Sequence, residues 1–322
     1  MVLALKLNGS GNNLIRIFYT GNKMRIRFTL LACFLFCLTN YSEAQSLSLK
    51  SEINKIIDSK KATIGVGIYN FDTGKTLIIN GKHHYPMQSV YKFHLALMVL
   101  HQVDTGKFSL EQKIHLTKND LNPNTWSPLA KKYPGDDIVL SLKDILAYTI
   151  SESDNNGCDI LFRLVGGPQK VNEYIHSLEI KDVSIKATEV EMHKEWNVQY
   201  SNWSTPSAAV QLLSKFYKGH ILSKKSFDFL WKLMSETTIG ADRIKGMLPE
   251  GTIVAHKTGS SGTNDEGIVA ATNDIGIVSL PDGKHYAIAV FVSDSKENND
   301  INEKIIAEIS KVTWDYFTSR QK

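Results

Sequence analysis

The sequence predicts an α/β fold in which an antiparallel sheet, flanked by helices, is built from both ends of the chain and an all-helical domain is inserted between them. Three observations carry this. Near the start, Ile64-Gly65-Val66-Gly67-Ile68-Tyr69 and Thr76-Leu77-Ile78-Ile79 flank Asp72-Thr73-Gly74-Lys75, two strand-like runs around a turn. Near the end, residues 275–280 and 285–292 do the same around Pro281-Asp282-Gly283-Lys284. Between them, apolar residues recur at helical spacing behind capping residues.

The 322 residues are 42% hydrophobic and 22% charged, an ordinary globular composition. The formal charge of +4 comes from the first 44 positions, where Lys6, Arg16, Lys23, Arg25 and Arg27 face Glu43 alone. The remainder is balanced, so no basic surface argues for nucleic acid. Met24-Arg25-Ile26-Arg27 is a short positive region, and 28–38 is an apolar core too short for a stable membrane span. Ser42-Glu43-Ala44 puts small residues where a signal peptidase reads. Cleavage is therefore expected after Ala44, with Met24 as the start and 1–23 as an upstream extension. Leu31-Ala32-Cys33 is a faint lipoprotein box, but the apolar run from Met24 to Cys33 is too short for it. The expectation is a periplasmic or secreted protein with no membrane span after cleavage. Its organisation is then leader 1–44, an α/β domain from 45–88 and 240–322, and a helical domain from 89–239.

Cys33 and Cys37 leave with the leader, so Cys158 has no partner for an intramolecular disulfide. It borders the apolar run Ile160, Leu161, Phe162, Leu164, Val165 and reads as a small buried hydrophobe.

In chain order, Leu49, Ile53, Ile56 and Ile57 repeat at helical spacing over 47–57, and the first hairpin follows. Ser141-Leu142-Lys143-Asp144 is a cap with an acid in the first turn of a helix running to about Ile150. Thr205-Pro206 opens another, which Gly219 ends. A third covers 223–234, with Phe227, Leu230, Trp231 and Met234 on one face. Residues 252–257 read as a strand ahead of the C-terminal hairpin. The last helix carries the stripe Ile301, Ile305, Ile309 and Val312. A cleft between two such lobes is a usual place for a site.

The candidate chemistry begins at Gln88-Ser89-Val90-Tyr91-Lys92-Phe93, ahead of an apolar run of good helix formers at 94–100. If Ser89 opens that helix, Lys92 stands one turn along the same face. The helix N-terminus favours negative charge on the hydroxyl, and the amine can take its proton once burial or a neighbouring cation lowers its pKa. Alone, the pair also fits a serine cap followed by a solvated lysine. Two further motifs change the odds. Ser153-Asp154-Asn155 forms a short loop between helices, and Lys257-Thr258-Gly259 ends the strand that opens the C-terminal β-run. Each alone is ordinary turn or strand-end chemistry. Chance explains all three poorly, in this order and on these elements.

The set resembles the signature of class A serine β-lactamases and penicillin-binding proteins. The resemblance covers essentially the whole mature chain, including the α/β–α–α/β order of a β-lactamase/transpeptidase-like fold. It implies that Ser89 is the nucleophile on the lactam carbonyl, that Lys92 holds or takes its proton, and that Ser153 relays a proton to the leaving nitrogen. Lys257 then supplies positive charge beside Ser153 and Lys92, and with Thr258 helps bind the substrate carboxylate. Asn155 bonds the substrate's side-chain amide. The backbone N–H groups of Ser89 and Ser260 form the oxyanion hole, with Gly259 letting the strand come close. One such donor contributes ~3 kcal/mol of transition-state stabilisation.

In Ala187-Thr188-Glu189-Val190-Glu191-Met192-His193, Glu189 matches the Ω-loop acid that activates water for deacylation, while Glu191 and Glu195 read as solvated loop acids. Ala187 stands where the family usually has an Arg of a loop ion pair, and His193 where it has an Asn. These departures, with Gln88 and Gln199-Tyr200-Ser201-Asn202-Trp203, resemble the PER/VEB-type extended-spectrum branch. They leave the loop's fixing contacts and the water's hydrogen bonding open, and suggest room for bulky oxyimino side chains. Arg243 matches an arginine that serves the substrate carboxylate in that branch; a plain surface charge is the alternative. Trp126, in Asn124-Thr125-Trp126-Ser127-Pro128, matches an aromatic at the cleft rim, and a packed core Trp fits as well. His83-His84 have no carboxylate or Cys partner at ligand spacing, so no metal and no organic cofactor are expected.

The expected function is hydrolysis of penicillins and cephalosporins through a serine acyl-enzyme, giving antibiotic resistance, in a monomer whose partner is a small β-lactam. The rivals on the same fold are a transpeptidase or D,D-carboxypeptidase, which Glu189 argues against, and a penicillin-sensing domain, which would sit beside a retained membrane helix. Serine glutaminases share Ser-x-x-Lys but fit the other two motifs less well.

Overall fold

The computed structural model describes residues 48–319 apart from Asp136. The leader, its expected cut after Ala44 and the start at Met24 lie outside the described residues. In chain order the elements are α1 (48–57), β1 (Thr63–Asn70), β2 (Thr76–Ile79), β3 (Tyr85–Pro86), α2 (Tyr91–Asp104), β4 (Lys113–Leu116), α3 (Pro128–Lys132), β5 (Ile138–Ser141), α4 (Leu142–Ser151), α5 (Asn155–Val165) and α6 (Pro168–Ser177). There follow β6 (Val183–Ser184), α7 (Glu189–Met192), β7 (Trp203–Ser204), α8 (Pro206–Tyr217), α9 (Lys224–Ser235), β8 (Val254–Ser260), β9 (Val269–Ser279), β10 (His285–Ser295) and α10 (Asn299–Thr318).

The main sheet has the order β2-β1-β10-β9-β8, every neighbouring pair antiparallel. Its two faces sort the sequence by parity. Val66 and Ile68 of β1 lie opposite Val290 and Ile288 of β10, and all four pack with Ile53 of α1 and Ile305 and Ile309 of α10. The other face carries Ala289 and Phe291 of β10 and Ile275 and Ile277 of β9, which join the core of the helical region. On that second face β1 presents glycine. A Cβ on Gly67 would lie 2.5 Å from the Pro206 carbonyl oxygen, so the missing side chain lets the first turn of α8 lie flat on the sheet. Thr205 caps that helix by accepting the Ala208 N–H at 3.2 Å.

Helix α2 is buried on every side from Tyr91 to Leu100, which is why its apolar residues show no stripe. It runs through the core, packed by α4, α5, α6 and α9. The cap read at Ser141 is present as a reciprocal box with Asp144, and Ser223 caps α9 through the Ser226 N–H.

Three features lie beyond the sequence reading. The helical insertion holds a β4–β5 ribbon, and β3, β7 and β6 form a small second sheet. Strands of two to four residues carry too few alternations to stand out. The strand expected over 252–257 starts at Val254 and continues through Lys257-Thr258-Gly259 to Ser260, because β9 begins early enough to pair with it, Gly259 against Asn273 and Ser260 against Thr272. No helix among the described residues is long and apolar enough to cross a membrane.

Candidate active site

Ser89 sits in a single 3-10 turn, Gln88–Val90, one step ahead of α2 and not at its cap. Gln88 takes a left-handed backbone, φ 48°, which turns the chain sharply before the serine. Lys92 is fully buried, so the reading of a solvated lysine fails. Its Nζ reaches Ser89 Oγ at 2.9 Å, the Ser153 carbonyl oxygen at 2.8 Å, Asn155 Oδ1 at 2.6 Å and Glu189 Oε1 at 3.0 Å. An ammonium has three protons and here meets four acceptors. Glu189 Oε1 is the one left with a charge contact and no formal hydrogen bond.

Ser153 is held in the left-handed region, φ 55°, which costs a non-glycine residue free energy and is sustained by its partners. Its carbonyl faces Lys92 and its hydroxyl accepts from Lys257 Nζ at 2.9 Å. Lys257 also donates to the Thr258 carbonyl at 3.0 Å. Burial, and then the positive charge of Lys92, hold the Lys257 amine well below the usual lysine range, with Asp274 opposing. Asn155 accepts from Lys92 and donates to Thr125 Oγ1 at 2.8 Å, which leaves its second Nδ2 proton for another acceptor.

β8 is the edge of the sheet. Ser261 donates its N–H to the Ala271 carbonyl, so by the alternation of an antiparallel ladder the Ser260 N–H points away from β9, to the open side. A Cβ on Gly259 would lie 2.3 Å from the Met87 carbonyl oxygen. Only glycine lets β8 pass this close to the turn that carries Ser89.

Glu189 opens the short helix α7 and is buried. Two contacts fix it where the loop ion pair of the family pattern is missing. Asn202 Oδ1 accepts the N–H groups of Lys186 and Ala187 at 2.7 and 2.9 Å, and its Nδ2 donates to the Ala187 carbonyl at 2.8 Å. The Asp159 carboxylate accepts the N–H groups of Glu189 and Val190 at 2.8 and 3.0 Å. Burial pushes the Asp159 carboxyl up to about 6, against the pull of those two donors. His193 Nδ1 lies 2.7 Å from the Glu189 carbonyl oxygen, which makes it the protonated ring nitrogen. Gln88 donates to Gln199 Oε1 at 2.5 Å, joining the turn that carries Ser89 to the end of the loop.

Arg243 is not a surface charge. It is buried, and all five guanidinium N–H groups are engaged: two on Glu303, one each on the Gly259 and Asn273 carbonyls, and one on Ser260 Oγ at 2.7 Å. Trp126 is 59% exposed, lines the cleft and donates its indole N–H to the Glu152 carbonyl, so it is a rim residue and not core. Cys158 is buried, and burial raises its thiol well above the ordinary range, which suits a packing role.

Ser89, Trp126, Ser153, Asn155, Glu189 and the β8 edge at Thr258 to Ser260 line one cleft of about 620 Å³. The sequence reading gave no role to Asp159, Asn202, Gln199, Asn273 or Glu303. Gln199 and Asn202 stood in a segment that matched the extended-spectrum branch without a role, and Asp159 was visible as an acid set against the apolar run of α5.

A sequence model of the β-lactamase enzyme family matches residues 48–317. β-Lactamase VEB-1 of Pseudomonas aeruginosa is 50% identical over 296 residues, covering 91% of this chain and 98% of that protein. The extended-spectrum β-lactamase PER-1 of Pseudomonas aeruginosa is 46% identical over 275 residues, 85% of this chain and 89% of that one. The crystal structure of the TLA-1 extended-spectrum β-lactamase superposes with a TM-score of 0.83 at 61% identity, covering 84% of this chain and 99% of that chain. A buried Lys joining a Ser hydroxyl to a loop Glu, a second Lys on β8 bonded to the serine of Ser-Asp-Asn, and relatives of this similarity and coverage agree: the chain belongs to the β-lactamase enzyme family and is a class A serine β-lactamase.

Proposed function

We propose that this enzyme hydrolyses penicillins and cephalosporins, oxyimino-cephalosporins included, through an acyl-enzyme on Ser89, and so gives resistance to them. The observation that carries the assignment of roles is the Lys92 ammonium, within 3.0 Å of both Ser89 Oγ and Glu189 Oε1. Glu189 takes a proton from the Lys92 ammonium, and the neutral amine takes the Ser89 proton as the oxygen attacks the lactam carbonyl. Glu189 gives its proton back to the amine once Lys92 has passed one on through Ser153. The Ser89 and Ser260 N–H groups receive the negative charge that develops on the carbonyl oxygen. Ser153, oriented by Lys257, passes a proton to the departing nitrogen. Glu189, whose Oε1 has a free acceptor position, then deprotonates the water that cleaves the ester.

Asn155 meets the side-chain amide of the substrate with its remaining Nδ2 proton. Thr258, Ser260 and Lys257 receive the carboxylate. Arg243 serves that carboxylate through the Ser260 hydroxyl it holds, since its own donors are spent. Trp126 and His193 border the acyl side chain. Room for an oxyimino group is supported by the neutral Asn202 closure of the Ω-loop and by the likeness to PER-1 and TLA-1, which are extended-spectrum enzymes. The cleft then lies between the sheet lobe (45–88 and 240–322) and the helical lobe (89–239). The 1–44 leader takes a monomer to the periplasm or the medium.

A spectrophotometric assay with a chromogenic cephalosporin, followed by benzylpenicillin and an oxyimino-cephalosporin, tests this. Turnover of all three is expected. Acylation without release points to a sensor or transpeptidase, and near-total discrimination against the oxyimino compound removes the extended-spectrum part.

A further inference from the structure

The turn that carries Ser89 is preceded by two carbonyl groups that point into the protein, those of Pro86 and Met87. Both are bonded by one side chain. Asn273, in the middle of β9 and fully buried, donates from Nδ2 to the Pro86 oxygen at 2.8 Å and to the Met87 oxygen at 3.2 Å. The orientation of this amide is dictated by its neighbours, since carbonyl oxygens can only accept. Its own Oδ1 is left buried with no donor. An asparagine with half its amide unsatisfied is a costly way to fill space on a central strand, and an apolar residue of that size would serve packing better. What the asparagine alone supplies is the pair of N–H groups.

Asn273 also stands opposite Gly259 in the β8–β9 ladder, and Arg243 Nη1 spans the carbonyls of the same two residues at 2.9 and 3.2 Å. The Met87 oxygen therefore sits between the flat backbone of Gly259 and the Asn273 amide, while it accepts the Val90 N–H at 3.2 Å. Ser89 lies between Met87 and Val90 in that turn, and Ser260 follows Gly259 on β8. The distance between their two N–H groups is thus fixed across this junction.

We propose that Asn273 is a positioning residue for the acylation step: its amide straps the Pro86 and Met87 carbonyls to β9 and so sets the spacing between the Ser89 and Ser260 N–H groups. This rests on the assignment of those two groups as the oxyanion hole. Without the strap the nucleophile turn is tied down by Gln88 to Gln199 and by the Met87 N–H to the Asn202 carbonyl, both on the side of the Ω-loop. The turn then follows the loop and not the strand. Donors have to lie about 2.7–3.1 Å from the developing oxyanion, so a shift of a few tenths of an ångström weakens both.

The test compares wild type with Asn273→Leu, close in size but without the amide, and Asn273→Asp, which keeps the shape and loses donation at neutral pH. Each is assayed per acylable Ser89, with melting temperature as the check on folding, on a β-lactam and on its thiono analogue, whose sulfur is a poorer acceptor for oxyanion donors. Wild type should process the thiono compound far more slowly. Both variants should lose about tenfold or more in kcat on the oxygen substrate with KM little changed, and their thiono penalty should shrink. A variant that melts earlier yet keeps kcat and the full thiono penalty overturns the positioning role and leaves the oxyanion hole standing. A wild type with no thiono penalty overturns the oxyanion assignment, and this inference with it. If the Asp variant does not fold, the Leu variant decides alone.

Discussion

Lys92 Nζ stands 3.0 Å from Glu189 Oε1 and 2.9 Å from Ser89 Oγ, so one buried ammonium touches both the serine hydroxyl and the loop carboxylate, which belong to different parts of the chain. The two chemical steps part at this atom. Removing Glu189 spares the Lys92–Ser89 pair and, under the proposed mechanism, deletes the acid that aims and deprotonates water. Glu189→Ala should accept a penicillin on Ser89 and release it ~10²–10⁴-fold more slowly. Intact-protein mass spectrometry should show a lasting adduct on the variant while wild type clears in the same time. Glu191 is occupied in the Thr188 capping box, so Glu191→Ala should turn over normally. The reverse pattern would reject the assignment.

Arg243 acts through what it holds. Its guanidinium fixes Ser260 Oγ and two carbonyls of the β8–β9 edge, with Glu303 of α10 as its counter-charge. Losing a charge-assisted hold of this kind costs roughly 1.5–3 kcal/mol. Arg243→Ala should then lower kcat/KM on penicillins by about one to two decades. Steady-state kinetics equal to wild type would show that Ser260 keeps its place without it.

The Asp159 carboxyl makes stability depend on pH in a defined sense. Burial lifts its pKa to about 6 in the fold, against the ordinary 3.8 of an exposed aspartate. A raised folded value means that the native state holds the extra proton between those limits. Its contribution is present in full below the unfolded value and is lost as pH rises through the folded one. Asp159→Asn removes the titration. The melting temperature of wild type minus that of the variant should therefore fall between about pH 4 and about pH 7. A difference flat over that range would place the titration on another group.

Asn202 closes the base of the Ω-loop with three hydrogen bonds to Lys186 and Ala187. Asn202→Ala strands buried backbone groups and should cost about 2–3 kcal/mol. Chemical denaturation measures this directly. Because Glu189 rides on the same loop, deacylation should slow by more than acylation in the same variant, as single-turnover kinetics can resolve. Equal loss in both steps would assign the effect to general destabilisation.

Much of this was legible in the letters. The two hairpins, the capping boxes and the three motifs report local rules: turn residues, hydroxyls before helices, hydroxyl-to-amine spacing within one turn. Ser89, Lys92, Ser153 and Lys257 converge as their order suggested. What the sequence hid is long-range. Asn273 lies 187 positions from Pro86, and Glu303 60 from Arg243. Asparagines such as Asn202 and Asn273 look like turn residues until the tertiary fold surrounds them. Ser89 stands two residues ahead of α2, in a 3-10 turn and not at its cap, because the left-handed Gln88 that sets this turn leaves no trace in propensity. Arg243 was open between carboxylate partner and surface charge, and its burial excludes the surface charge.

The Ω-loop fastening also bears on the medium in which the enzyme works. Asn202 is a neutral carboxamide, and it closes the loop where an ion pair is the family's usual device. Dissolved salt screens charges but leaves neutral hydrogen bonds nearly untouched. Acidity cannot unfasten it either, since neither the amide nor the peptide groups it grips take up a proton near neutrality. Where ionic strength and acidity vary, the Asn202 clasp at the base of the loop is thereby insulated from both, whereas the second hold on Glu189, the Asp159 carboxyl, is not.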